Sequence, residues 1–168
     1  MKAPPLLPEE TLLRVLRIAR LDGLSVLVIA GLFALISALA GDGIGAVVGL
    51  LVAGAGAVEL HGATLIEHSE PRGMNWLVGS QLFLLATIIG YCALRLVHPA
   101  LGPLMAAVTD DMKTSLDTAG WTPEKFVGFV YNTTYYAVAI VTFFYQGGMA
   151  LYYLRRREAV ARALAPEL

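Results

Sequence analysis

Five titratable side chains fall between Glu59 and Glu70: Glu59, His61, Glu67, His68 and Glu70. Carboxylates and imidazoles ligate metal ions and carry protons, so this stretch is the first candidate for chemistry. On a helix turning about 100° per residue, with Glu59 at 0°, Glu70 falls at about 20° and Glu67 at about 80°. His68 falls at about 180° and His61 at about 200°, so acids and histidines occupy different faces. The histidines are about 10 Å apart along the axis, unlike the four-residue spacing of an H-E-x-x-H helix. A metal held here requires ligands from another helix or a second chain. The single cysteine, Cys92, permits neither an intrachain disulfide nor a cysteine-based zinc site, and inside an apolar run it reads as a small buried hydrophobe. No G-x-S-x-G, phosphate-binding loop or kinase-type signature occurs, so the chain is expected to be non-enzymatic and to hold no cofactor.

The elements that must position these groups follow from composition. Of the 168 residues, 57% are hydrophobic and 15% charged, and the mean hydropathy is +0.68. Soluble domains carry about 25% charged residues, so this chain is expected to lie in lipid. A net charge of −1 gives no electrostatic case for nucleic acid. Four stretches are long enough to cross the hydrocarbon as helices, which takes about 17–25 residues each. They are 24–40, closed by Gly41-Asp42-Gly43; 44–69, stopped at Pro71; 76–97, with Pro99 beyond; and 126–154, closed by Arg155-Arg156-Arg157. These runs do not alternate in polarity as lipid-facing strands do, and backbone groups in lipid must be satisfied internally. The expected fold is an all-α integral membrane protein, a four-transmembrane-helix bundle in one domain over 1–168.

Basic residues orient the bundle. Nine of the 12 lysines and arginines (Lys2, Arg14, Arg17, Arg20, Arg72, Arg155, Arg156, Arg157 and Arg162) fall on one side, and Arg95, Lys113 and Lys125 on the other. Both termini are therefore expected in the cytoplasm, with a bacterial inner membrane as the setting. The basic start and Ala38–Ala40 resemble a cleavable leader, against which count the length of the segment and Glu9, Glu10 and Asp22.

The flanks carry their own patterns. Pro8-Glu9-Glu10 opens a helix, and Arg14, Arg17 and Arg20 form a basic edge beside an apolar side. Residues 1–23 are therefore expected as an amphipathic interfacial helix against anionic lipid. The outer loop, 98–125, repeats apolar residues from Leu101 to Leu116 at helical spacing and reads as a short amphipathic helix ended by Gly120. Thr122-Pro123-Glu124 caps the fourth spanning helix, and 155–168 is a cytoplasmic tail.

Depth separates Glu59 from the other titratable groups. Counted from Ile44 it lies about 22 Å along its helix, within roughly 8 Å of the cytoplasmic boundary of a hydrocarbon layer about 30 Å thick. Glu67, His68 and Glu70 fall in water. An ionisable group at the depth of Glu59 must find a partner or an aqueous cavity. Upstream, Gly45, Gly49, Ala53 and Ala57 form a small-residue ridge for helix packing. Asn132, Tyr135, Thr142 and Gln146 form a polar stripe on the fourth helix. Ser80 and Thr87 share a side of the third, with Arg95 about 60° round. Such stripes serve as hydrogen-bond glue or line a hydrated pathway.

Three functions are expected in order. The first is a non-enzymatic membrane subunit that assembles with itself or with partner membrane proteins. The second is a homo-oligomeric ion channel lined by the Asn132–Gln146 stripe, with Glu59 near the inner mouth. The third is a metal- or haem-binding redox protein using His61.

Overall fold

A computed structural model of the chain describes residues 7–165. It contains six helices and no strand among the described residues: α1 (Pro8–Leu39), α2 (Gly43–Glu67), α3 (Gly73–Val97), α4 (Gly102–Ala106), α5 (Asp110–Thr118) and α6 (Pro123–Leu164). Helices α1, α2, α3 and α6 are long and apolar enough to cross a membrane. The start of α1, the α2–α3 turn and the end of α6 share one end of the bundle, the proximal end. The α1–α2 turn, α4 and α5 lie at the opposite, distal end.

Local chemistry sets the helix boundaries. At the start of α1 the Leu7 N–H donates to the Glu10 carboxylate at 3.3 Å. Asp42 caps α2 by accepting from the Gly45 N–H at 3.0 Å, and Thr122 caps α6 by accepting from the Lys125 N–H at 3.4 Å. Gly41 turns the chain between α1 and α2 at φ +74°, a conformation open to glycine. Between α2 and α3, Ser69 adopts φ 61° with a side chain in place.

Two flanking elements differ from the sequence expectation. Residues 8–23 form no separate interfacial helix: α1 runs without a break for 32 residues, about 48 Å. Its Thr11, Val15, Ala19 and Asp22 face is buried against protein, because the long α6 continues beyond the membrane span and covers it. Arg14, Arg17 and Arg20 remain exposed on the other side. The outer helix is divided in two, because the Thr109 side chain accepts from the Met112 N–H at 3.3 Å and starts α5 afresh. Helix α6 passes straight through Arg155–Arg157 to Leu164, so most of the expected tail is helical. Lys2, the rest of residues 1–6 and residues 166–168 lie outside the described residues.

Close packing is concentrated between α1 and α2. A Cβ on Gly49 would stand 2.8 Å from the Ala34 backbone, and one on Gly56 2.7 Å from the Gly23 carbonyl. Further along, Gly62 and Gly73 bring α2 against α3 in the same way. The ridge of Gly45, Gly49 and Ala53 is thus spent inside one copy, while Ala57 points outward. At the proximal end Val15, Ala19, Ala63, Ile66, Met74, Leu77, Tyr153 and Val160, drawn from all four long helices, form a sealed apolar core. The outward faces carry Leu32, Ile36, Val47, Leu50, Ile140, Val141 and Phe144, all exposed, as a lipid-solvated surface requires.

Candidate functional site

Just distal to the apolar core, each long helix contributes a polar side chain to one buried cluster. Asp22 comes from α1, Glu59 from α2, Gln81 from α3, and Gln146 and Tyr153 from α6, with the exposed Tyr145 at the edge reaching in through its hydroxyl. Asp22 falls on the buried face of α1 because it continues the Thr11, Val15, Ala19 series at spacings of four, four and three residues. Counted from the distal helix ends, Asp22 and Glu59 lie about 26 and 24 Å deep, within the proximal quarter of a hydrocarbon layer about 30 Å thick.

Hydrogen bonds tie the helices together through these groups. The two oxygens of Asp22 accept separately, from Gln81 Nε2 at 2.9 Å and from the Tyr145 hydroxyl at 2.8 Å. Glu59 Oε1 accepts from the Tyr153 hydroxyl at 2.7 Å. Glu59 and Gln81 are fully buried, Gln146 is 6% exposed and Asp22 8%. The ion pairs among the described residues are Arg20–Glu67, Arg72–Glu70, Arg95–Asp42 and Lys113–Asp110, so no arginine or lysine pairs with Asp22 or Glu59.

The cluster is rich in acceptors and poor in donors. Glu59 Oε2, Gln81 Oε1 and Gln146 Oε1 are buried with no hydrogen-bond partner. Each such oxygen costs about 1–3 kcal/mol when left unpaired in a protein interior. Two carboxyl groups and two amide oxygens form the donor set that hard cations take. Soft or borderline metals favour sulfur and imidazole, and no group of three or more His, Cys, Asp or Glu side chains suited to a metal occurs among the described residues.

A cavity of about 760 Å³ opens from this cluster towards the distal end. Asp22 and Gln146 stand at its proximal limit, Leu84 and Cys92 form its buried floor, and Phe33 and Val138 stand on its exposed rims. A second cavity of about 600 Å³ shares Phe33, Tyr91, Thr134 and Tyr135 with the first and extends to the Arg95–Asp42 ion pair. That pair joins α3 to the α1–α2 turn, and Arg95 also donates to the Tyr91 hydroxyl at 3.1 Å.

The structure separates the sequence candidates. Glu59 and Gln146 belong to the cluster, and Thr142 is buried one turn from Gln146. Tyr135 lines both cavities, its ring tilted against Tyr131 at 4.7 Å and edge-on to Tyr91 at 6.0 Å. Asn132 is exposed on α6. His61 stands outside the cluster, exposed and edge-on to Trp76 at 5.7 Å. Buried Ser80 donates to the Leu77 carbonyl at 2.9 Å, and Thr87 is half-buried. Arg155 and Arg157 are exposed, while Arg156 lies over the Tyr152 ring at 5.9 Å. Asp22, Gln81, Tyr145 and Tyr153 were not singled out by the sequence reading. For Asp22 the signal was its place in the apolar series of α1. Compared with protein-family models, with curated proteins and with solved structures, the chain matches none.

Proposed function

We propose that this chain is a non-enzymatic integral membrane protein that binds a small inorganic cation, a proton or an alkali-metal ion, between Asp22 and Glu59. The observation that carries this reading is the pairing of two buried carboxyl groups with three unpartnered acceptor oxygens and, among the described residues, no basic side chain paired with them. Ionisable groups inside a membrane face the bundle interior and mark ion or proton sites. The setting is a bacterial inner membrane, with the proximal end and both termini in the cytoplasm. The clustering of Arg14, Arg17, Arg20, Arg72 and Arg155–Arg157 at that end supports this orientation.

Two measurements on purified protein test the reading. Infrared difference spectroscopy reads a protonated carboxyl group by its C=O stretch, and calorimetry in a sodium-free buffer reads sodium binding. The parent is expected to give one of these signals, and Glu59→Gln and Asp22→Asn to lose it. A folded parent with neither signal overturns the reading.

Assembly with a partner membrane helix, or with a second copy, is a separate proposal. It rests on Asn132, an amide exposed about 14 Å along α6 where lipid offers it no hydrogen bond. A pore shared between copies and lined by the whole Asn132–Gln146 stripe is less well supported, because Thr142 and Gln146 are buried within one copy.

A further inference from the structure

The 760 Å³ cavity is larger than an inorganic cation needs and falls within the roughly 300–1,000 Å³ of small-molecule sites. Its walls are apolar along most of their length: Val26, Ile29 and Phe33 from α1, Leu84 and Ile88 from α3, Val138 from α6. Charge is confined to one end, where Asp22 stands beside Gln146, whose Oε1 is buried and unpartnered. Among the described residues, no lysine or arginine lines this cavity. The rim residues Ile29, Phe33, Val138 and Tyr145 are exposed, so the cavity opens sideways between α1 and α6 into the region the lipid occupies.

We infer that this groove binds a lipophilic organic cation, which enters from the bilayer and places its charge against Asp22 and Gln146 while its apolar body fills the space up to Phe33 and Tyr135. The inference rests on the proposed cation-binding role of the cluster and names a second class of cation for it. An inorganic anion or an acidic amphiphile is disfavoured by the carboxyl group at the closed end. A neutral acyl chain satisfies the walls but leaves Gln146 Oε1 unpaired and gains nothing from Asp22. Tyr145 stands at the entrance with its hydroxyl on Asp22, so an incoming cation meets an acceptor already held in position. Because Asp22 and Glu59 belong to one buried cluster, sodium ions or acid compete with the organic cation.

Equilibrium dialysis of tetraphenylphosphonium against the purified full-length protein in detergent, blanked with empty micelles, tests this. Neutral triphenylphosphine oxide serves as the uncharged comparator. The parent is expected to bind the phosphonium at least about tenfold more tightly than the oxide, and Asp22→Asn to remove that preference. Ile88→Trp fills the groove without touching the carboxyl groups. It is expected to weaken phosphonium binding at least about tenfold while the sodium or carboxyl signal of the cluster persists. If Ile88→Trp fails to fold by circular dichroism, Val138→Trp, on the exposed rim, replaces it. Equal binding of phosphonium and oxide, or phosphonium binding unchanged in Asp22→Asn, overturns the inference and identifies a merely apolar groove. A parent that gives the sodium or carboxyl signal but binds no phosphonium also overturns it and leaves the proposed function standing. Loss of both signals in folded parent protein removes the two together.

Discussion

The substitution Gly56→Ala tests whether α1 and α2 meet backbone to backbone beside the carboxyl cluster. An added Cβ would lie 2.7 Å from the Gly23 carbonyl oxygen and 2.8 Å from the Leu27 nitrogen, where ordinary contact begins at 3.4 Å. Helix α1 must therefore retreat by 3.4 − 2.7 = 0.7 Å at the residue next to Asp22. Overpacking of this kind costs about 1–3 kcal/mol. The replacement also recovers about 1 kcal/mol of helix propensity, so the net loss lies between about 0 and 2 kcal/mol. Gly54→Ala is the matched control: the same helix and the same chemistry, with nothing within 4 Å of the new methyl. It is expected to stabilise by up to about 1 kcal/mol, reduced where lipid screens the backbone. Unfolding in mixed micelles followed by circular dichroism gives both values, and their difference, about 1–3 kcal/mol, isolates the contact. The retreat of α1 also predicts weaker sodium or proton binding in Gly56→Ala and unchanged binding in Gly54→Ala. Equal stabilisation by the two alanines refutes the close approach, and with it the account of how Asp22 is brought to Glu59.

Other outcomes follow from the same geometry. Tyr153→Phe removes the donor to Glu59 Oε1 and leaves both oxygens of a fully buried carboxyl group unpartnered; it is expected to lower unfolding stability by about 1–3 kcal/mol, and a loss below about 0.5 kcal/mol contradicts the bond. Asp42→Asn keeps the α2 cap but removes the charge facing Arg95, whereas Asp42→Ala removes both; the alanine variant is expected to melt lower by an extra increment of about 1 kcal/mol. Ser69→Gly relieves a left-handed backbone at φ 61° and is expected to raise stability by about 1 kcal/mol in the same assay. In the distal segment Lys113 donates to Asp110 at 2.8 Å and holds that carboxyl group below the usual carboxylate range. The contact is fully present above the ordinary carboxylate value and is lost as pH falls through the depressed one, so Lys113→Met is expected to shift the Asp110 NMR titration upward.

Helix number and approximate extent were legible because hydrocarbon imposes a simple rule on sequence. Long uncharged runs must be helices, and Gly41-Asp42-Gly43 or Thr122-Pro123 mark where they begin and end. The division of residues 8–39 at Gly23 was not legible correctly. Arginines at 14, 17 and 20 describe only the exposed side of α1, and nothing local reveals that α6 extends far enough to bury the opposite side. Glu59 was found because it is charged and deep. Gln81 is not legible in the same way, because a neutral amide in an apolar run carries little signal until its neighbours are known. Asp22 stands three residues after Ala19 on the core-facing side, but a lone acid near the start of a helix also fits a solvated flank, so its burial is not legible locally. Pairing between helices 59 residues apart in the chain, as for Asp22 and Gln81, is information that only packing supplies.

The sealed apolar core at the proximal end has a directional consequence. Val15, Ile66, Leu77 and Val160, none more than 1% exposed, close the proximal side of the carboxyl cluster, while the cavity extends towards the distal end. Anything that reaches Asp22 through the cavity meets a dead end on that side and must turn back. In this conformation the described residues close the path from one end of the bundle to the other, and opening it demands that four helices part company at their apolar core.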